Sequence, residues 1–509
     1  MTAALERRDD ERSRFLLLWV IPTVVVALTA FARPILNDGD TFWHIAAGRW
    51  MIAHGGVPAT DPFSFTYVGR PWITHEWLTE VIMAAAYLTG GWAGVMLLTG
   101  LSLGALTTLM GGWLLRWLSP LSAIVALLLA SVCIFPGVLA RPHLLVLPVL
   151  ALWTIELLKA REHARSPSVW LIPLMGLWAN LHGSFVVGAA LLVAFALETA
   201  LDVRRWRGAT LLGWAVVLVG AGLASLANPN GLAGLAFPLQ VLNMKTLPAI
   251  TEWRGPDFIA GGSSIRIGGW ILKLEPLEIA LLAGLFALFW RGAKLTAVRA
   301  LILLGLVHMS LQHVRQEVLL GAIAPLILAE PVGRALGAVT PKPVSWRLPN
   351  AQTALGAGLI VLALTARLLI PEIRTNGPTA PIAAFARVPA ELRREPVLNA
   401  YNFGGFLIFS GVKPYIDGRA DMYGDAFFAN HDLIMRGDGG ATAAAITRYR
   451  IRWALLRPDQ PLVGVLERTP GWKVTYRDDY AAVLENFDLP PPPAAPHKGE
   501  DPIVVYDAG

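Results

Sequence analysis

The chain has 509 residues, of which 55% are hydrophobic and only 15% charged, against about 25% charged in ordinary soluble domains. Charge is sparse before Arg374 and denser after it, which excludes a uniformly soluble protein and points to a membrane part followed by a soluble part. The formal charge of +6 collects in short loops, the pattern of a membrane topology signal and not of a nucleic-acid surface, and the single cysteine, Cys133, excludes an internal disulfide and a cysteine zinc site.

Residues 1–14, with Arg7, Arg8, Arg12 and Arg14, read as a cytoplasmic N-terminus. Residues 15–36 are too long an apolar run for a signal core and lack a small-residue cleavage site, so they predict a retained spanning helix. A first outer loop spans 37–75. Its start, Asn37-Asp38-Gly39-Asp40, puts two carboxylates at the membrane edge. Such a pair can supply a general base, bind a hard cation, or cap the next helix through Asp40. Residues 40–54 predict an interfacial helix, because Trp43, Ala46, Ala47, Trp50 and Met51 recur at spacings of three and four.

Further apolar segments are 76–115, broken at Gly90-Gly91, then 121–139 and 144–158. Segment 169–201 is too long for one helix and predicts two short ones turning at Asn180-Leu181-His182-Gly183. Then come 210–226, 276–290, 295–311, 318–336 and 354–370. A second outer loop, 228–273, carries Thr251-Glu252-Trp253-Arg254 and is too rich in Gly and Pro for a further span.

Basic groups at Lys159/Arg161/Arg165, Arg204/Arg205/Arg207, Arg291/Lys294/Arg299 and Arg334/Lys342/Arg347 mark inside loops. They require an odd crossing number, about eleven to thirteen spanning helices by length, with part of 76–115 re-entrant or flat. Residues 15–374 then form the membrane domain of a polytopic inner-membrane protein, and the chain beyond residue 374 lies outside. This topology brings Asp38, Asp40, His44, His75, Glu76, Arg141, His143, His182, Glu252, Arg254, His313 and Arg315 to the outer face, where ionisable groups at membrane depth are functional candidates.

Residues 375–488 predict a small periplasmic α/β domain. Its strands fall at 397–400, 406–409, 413–416 and 451–456, with a hairpin at 472–485, and its helices at 427–435 and 441–449. Asp417 and Arg419 read as a structural surface pair, or alternatively as part of an acceptor-binding patch. Residues 489–509 are a Pro/Ala-rich tail with a disordered composition.

The stretches Asp38-Gly39-Asp40-Thr41-Phe42-Trp43-His44, Gly48-Arg49-Trp50, His54-Gly55-Gly56-Val57-Pro58, Asp61-Pro62-Phe63-Ser64 and Pro71-Trp72-Ile73-Thr74-His75-Glu76-Trp77-Leu78 resemble the opening of bacterial membrane proteins with the GT-C glycosyltransferase fold. These are distantly similar to protein O-mannosyltransferases and aminoarabinose transferases. Trp178-Ala179-Asn180-Leu181-His182-Gly183, Asn228-Pro229-Asn230-Gly231, Glu252-Trp253, His313-Val314-Arg315, Gly404-Gly405 and Asp417-Gly418-Arg419-Ala420-Asp421 fit the same group.

The resemblance implies transfer of a sugar from a polyprenyl-phosphate carrier to an outer-face hydroxyl acceptor. Asp40 or Asp38 would be the base, and Arg315, Arg141 and Arg254 would hold the donor phosphate. His44, His75, Glu76, His143, His182, Glu252 and His313 would bind substrate. No cofactor is implied beyond a possible divalent cation at Asp38 and Asp40. The mannosyltransferases place Asp and Glu side by side, whereas Gly39 separates the acids here, which leaves open which acid is the base and whether a metal binds. A transporter for lipid-linked glycan and a catalytically inactive envelope scaffold are the competing readings; the sequence shows no internal repeat of the transporter kind.

Overall fold

The computed structural model describes residues 11–202, 208–258, 263–267, 270–342, 344 and 350–488. The first ten residues of the basic N-terminus, Arg204, Arg205, Arg207, Arg347 and the tail 489–509 lie outside the described residues.

Among the described residues, six helices are long and apolar enough to cross a membrane: Glu11–Phe31, Trp77–Leu114, Pro120–Gly137, Pro142–Glu162, Val314–Ala335 and Ala351–Leu369. Shorter apolar helices occupy Leu171–Leu181, Phe185–Leu201, Gly208–Ala224, Gly231–Leu242 and Ala297–Gln312. At 1.5 Å per residue these rise only about 16–26 Å, short of the ~30 Å hydrocarbon core. Length alone therefore assigns six spans where eleven to thirteen were expected. The break expected at Gly90-Gly91 is present: Gly91, at φ 56° and ψ −148°, a conformation natural only to glycine, divides the run Trp77–Leu114 into two helices. The two short helices expected on either side of His182 are present.

The chain divides into two compact units. One comprises Met1–Ile35, Gly90–Pro238 and Leu247–Pro371. Small residues let its helices approach closely, as is general for membrane helices. A Cβ on Gly321 would come within 2.8 Å of the Ala130 carbonyl oxygen, and one on Gly333 within 2.6 Å of that of Trp117. Several of the arginines read as markers of inside loops join an ion-pair chain. Arg161 meets Glu198 at 3.0 Å, and Arg299 meets both Glu198 at 3.1 Å and Glu330 at 3.0 Å. Arg334 closes the chain on Glu330 at 3.0 Å. Arg161, Glu198 and Arg299 are buried, and buried charges persist only when paired.

The other unit comprises Leu36–Thr89, Leu239–Thr246 and Glu372–Gly509. It is larger than the expected soluble segment 375–488, because residues 36–89 fold together with the C-terminal sheet. After an antiparallel hairpin, β1 (Ser263–Ile267) with β2 (Trp270–Leu274), which belongs to the first unit, the strands are β3 (Val397–Asn399), β4 (Trp453–Leu456), β5 (Trp472–Arg477) and β6 (Ala482–Asn486). Their order is β3-β4-β6-β5, with β3 and β4 parallel and the other pairs antiparallel. Val397, Phe403, Leu407, Trp453, Leu455 and Val483 form the core against this sheet.

Two expected strands are absent. Residues 406–409 belong to a helix, Gly404–Phe409. A short apolar run does not distinguish strand from helix by periodicity, and here Phe406 and Phe409 pack edge-on against Phe42 of the Asp40–His54 helix. Residues 413–416 run irregularly, because the Tyr415 amide donates to the Asn399 side chain at 2.8 Å rather than to a ladder partner. A helix at Pro461–Glu467 was not expected.

Candidate functional site

The Asp40–His54 helix forms as expected, but its cap is not Asp40. Asp38 accepts the Thr41 amide and the Thr41 hydroxyl on Oδ2, both at 3.1 Å, the three-residue reach of an N-capping side chain. Asp38 is 4% exposed. Asp40 is left in the first turn, where its charge complements the helix dipole. Its carboxylate lies against the backbone of Gly418: a Cβ at that position would overlap Asp40 Oδ1 and come within 2.8 Å of Trp43 Nε1. Trp43 Nε1 is itself buried without a hydrogen-bond partner among the described residues. Gly39 is equally close to the C-terminal segment, since a Cβ there would meet the Asn402 carbonyl oxygen at 2.6 Å.

A second cluster in the same unit joins His44, His75 and Glu76 to Glu80, which was not singled out in the sequence. The His44 ring, 3% exposed, lies between two carboxylates. Nδ1 is 3.2 Å from Glu80 Oε1, and Nε2 is 3.9 Å from Glu76 Oε2. Trp43 packs over the ring at 3.6 Å between centroids. His75 Nε2 lies 3.4 Å from Glu76 Oε1. Burial opposes the charged form of His75, but the adjoining Glu76 carboxylate outweighs it and pushes the imidazole up to about 9. Asp421 faces the same group, and burial raises its carboxyl above the usual range although His75 opposes this. Glu80 carried one legible signal: it stands four residues after Glu76 where an apolar helix begins, on the same helical face.

The arginine cluster belongs to the first unit. Glu252 stands between two guanidiniums, with Arg141 Nη1 2.6 Å from Oε2 and Arg315 Nη1 3.2 Å from Oε1. Arg315 also lies over the Trp253 ring at 4.3 Å, a cation–π contact. Nδ1 of His313 is 2.6 Å from the Trp253 carbonyl oxygen, and the Val314 amide donates to the Arg254 carbonyl at 2.9 Å. Arg254 is exposed, its Nε donating to the Pro248 carbonyl at 2.9 Å. His143 Nε2 is 3.0 Å from the Gly137 carbonyl oxygen, and its ring is 6.5 Å from that of His182. His182 Nδ1 accepts the Ser184 amide at 2.9 Å, which satisfies the break between the two short helices.

Asp417 and Arg419 do pair, but deep inside rather than at the surface. Arg419 is 1% exposed. It donates to Asp417 from Nε at 2.7 Å and Nη2 at 2.6 Å, and to Asp61 from Nη1 at 2.7 Å. Phe63 and Trp72 lie against the guanidinium, centroids 5.3 and 4.7 Å away.

No family of known sequence pattern and no curated protein matches the chain. Solved structures do. The oligosaccharyltransferase of Archaeoglobus fulgidus in its apo form aligns over 87% of this chain and 69% of its own, with a TM-score of 0.50 at 10% identity. ArnT from Cupriavidus metallidurans aligns in the apo state over 92% of this chain and 97% of its own, with TM-score 0.48 at 18% identity. ArnT bound to undecaprenyl phosphate aligns over 92% and 98%, with TM-score 0.45 at 14% identity. The chain is a membrane protein with a distant GT-C-like fold, as its motifs led us to expect.

Proposed function

We propose that this chain is an inner-membrane glycosyltransferase that moves a sugar from a polyprenyl-phosphate carrier to a hydroxyl acceptor at the outer face. The observation that carries the reading is the Arg141–Glu252–Arg315 cluster: two guanidiniums, the side chain best shaped to hold a phosphate in a bidentate way, meet on one carboxylate. Arg254 is the third candidate for that role. The GT-C-like fold supports a transferase of lipid-carried sugar. Asp40 is the proposed base, with Asp38 holding the start of its helix, and His44, His75, Glu76, His143, His182, Glu252 and His313 line the substrate regions of their respective units. The N-terminus is cytoplasmic and the C-terminal domain periplasmic, embedded through membrane lipids.

A base acts by taking the acceptor hydroxyl proton as the oxygen attacks the anomeric carbon and the bond from that carbon to the lipid phosphate breaks. The test is to incubate purified protein with polyprenyl-phosphate sugars and read bound and cleaved lipid by mass spectrometry. Release of polyprenyl phosphate that depends on Asp40 supports a transferase. Binding without release, together with lipid translocation in proteoliposomes, would favour a transporter, and absence of both would favour a scaffold.

A further inference from the structure

We propose that His44, Glu76 and Glu80 bind one divalent transition-metal ion of the zinc class. Each offers a ligand atom, and the three atoms lie within 4.8 Å of one another. One imidazole nitrogen and two carboxylate oxygens suit zinc and its neighbours better than calcium or magnesium, which take oxygen alone. Three protein ligands leave a position open for water or a ligand oxygen.

The independent observation is Glu80. Its residue is 1% exposed, Oε1 faces His44, and Oε2 is buried with no hydrogen-bond partner among the described residues. A carboxylate oxygen removed from water without a donor is strongly disfavoured, and a bound dication removes that penalty. The surroundings hold the other two ligands in place. Glu76, whose side chain is 12% exposed, has Oε1 beside His75 and so turns Oε2 toward His44. Trp43 packs on the His44 ring. These contacts do for the ligands what outer-shell groups do in known metal sites. The expected cation pair, Asp38 and Asp40, is a poorer candidate, because Asp38 Oδ2 is engaged by both donors of Thr41.

The inference is independent of the transferase reading, and its test uses no donor or acceptor. The full chain, purified in detergent and stripped with chelator, is titrated with Zn²⁺, desalted and assayed for retained metal; Co²⁺ is used in parallel as an absorbing probe. One zinc per chain is expected, with a cobalt spectrum of nitrogen and oxygen ligation. Glu80→Gln and His44→Gln should each weaken retention by at least about tenfold, while His54→Gln, an exposed histidine of the same unit, should not. Three results would overturn the proposal: monodisperse wild-type protein that retains no zinc, zinc retention indifferent to both variants, or a thiolate charge-transfer band that moves the ion to Cys133. The wild-type spectrum and stoichiometry decide even if a variant fails to fold.

Discussion

Arg419 donates to Asp61 at 2.7 Å across 358 residues of sequence. The guanidinium thereby fastens the segment around Asp61 to the C-terminal segment within one unit. Asp61 in turn accepts the Phe63 amide at 2.9 Å and the Ser64 amide at 3.1 Å, so the loop is shaped around the carboxylate that the arginine reads. Tyr423 adds its hydroxyl to Asp417 at 2.6 Å.

Truncating one partner of such a buried pair strands the other's charge, at about 3–5 kcal/mol. Arg419→Ala should therefore lower the yield of folded protein sharply. Asp61→Asn should be milder, because the amide keeps an acceptor for the loop amides. Thermal unfolding in detergent reads this, and an Arg419→Ala protein as stable as wild type would refute a structural role.

Stability should fall with acid through His431. Burial holds this imidazole down at about 4, although its Nε2 lies 3.0 Å from the Asn399 carbonyl oxygen. A depressed folded pKa contributes stability that is intact above the unfolded value near 6.5 and is lost as pH falls toward 4, since the unfolded chain takes the proton first. The full loss over that window is about 3 kcal/mol. His431→Gln keeps a donor for Asn399 and removes the titration. Between pH 7.5 and 4.5 the variant's unfolding midpoint should fall less than wild type's; parallel curves would sink the assignment.

Sequence range separates the features that were legible from those that were hidden. The Asp40–His54 helix, the kink at Gly91, the helix pair around His182 and the β5–β6 hairpin rest on local periodicity or on glycine, and local signals are legible. The misassigned strand at 406–409 was decided by Phe42, more than three hundred residues upstream in the chain. The same holds at the site. Asp38, Asp40, Arg141, Glu252 and Arg315 could be named as types, but which acid caps the helix, and that Glu252 would neutralise arginines from two other segments, are long-range facts. Glu80 was passed over as part of an apolar helix.

The proposed orientation makes a direct prediction. A reporter active only in the periplasm, fused after Asp507, should be active, because the basic segments, read as inside loops, predict an odd number of crossings. Activity of a cytoplasm-only reporter at that point would invert the topology and remove the outer-face site with it.

Arg315 should matter to donor binding in a graded way. It combines an ion pair with Glu252 and stacking on Trp253. Lysine supplies charge without the planar fork or the stack. Arg315→Ala should weaken polyprenyl-phosphate binding by roughly ten- to a hundredfold, the range of one charge-assisted hydrogen bond, and Arg315→Lys by less. Unchanged binding in both variants would shift the phosphate to Arg141 or Arg254.

Asp40 is the residue on which the transferase reading turns. Because Asp38 carries the cap, Asp40→Asn should leave the helix start intact, and because the amide matches the carboxylate in size, the fit against Gly418 should persist. The variant should fold, insert and bind donor, yet lose transfer by about 10²–10⁴-fold, the usual contribution of a positioned base. Gly418→Ala supplies the complementary probe. Its methyl group would occupy the space of Asp40 Oδ1, so the carboxylate must move, and transfer should fall although the acid is chemically unchanged. Asp38→Asn should mainly soften the helix start, since Asn also caps well, and should retain more activity than Asp40→Asn. The comparison is made on single-turnover release of polyprenyl phosphate at saturating donor. A full-rate Asp40→Asn enzyme rejects Asp40 as the base; a larger loss in Asp38→Asn, with donor binding and folding intact, transfers the role to Asp38.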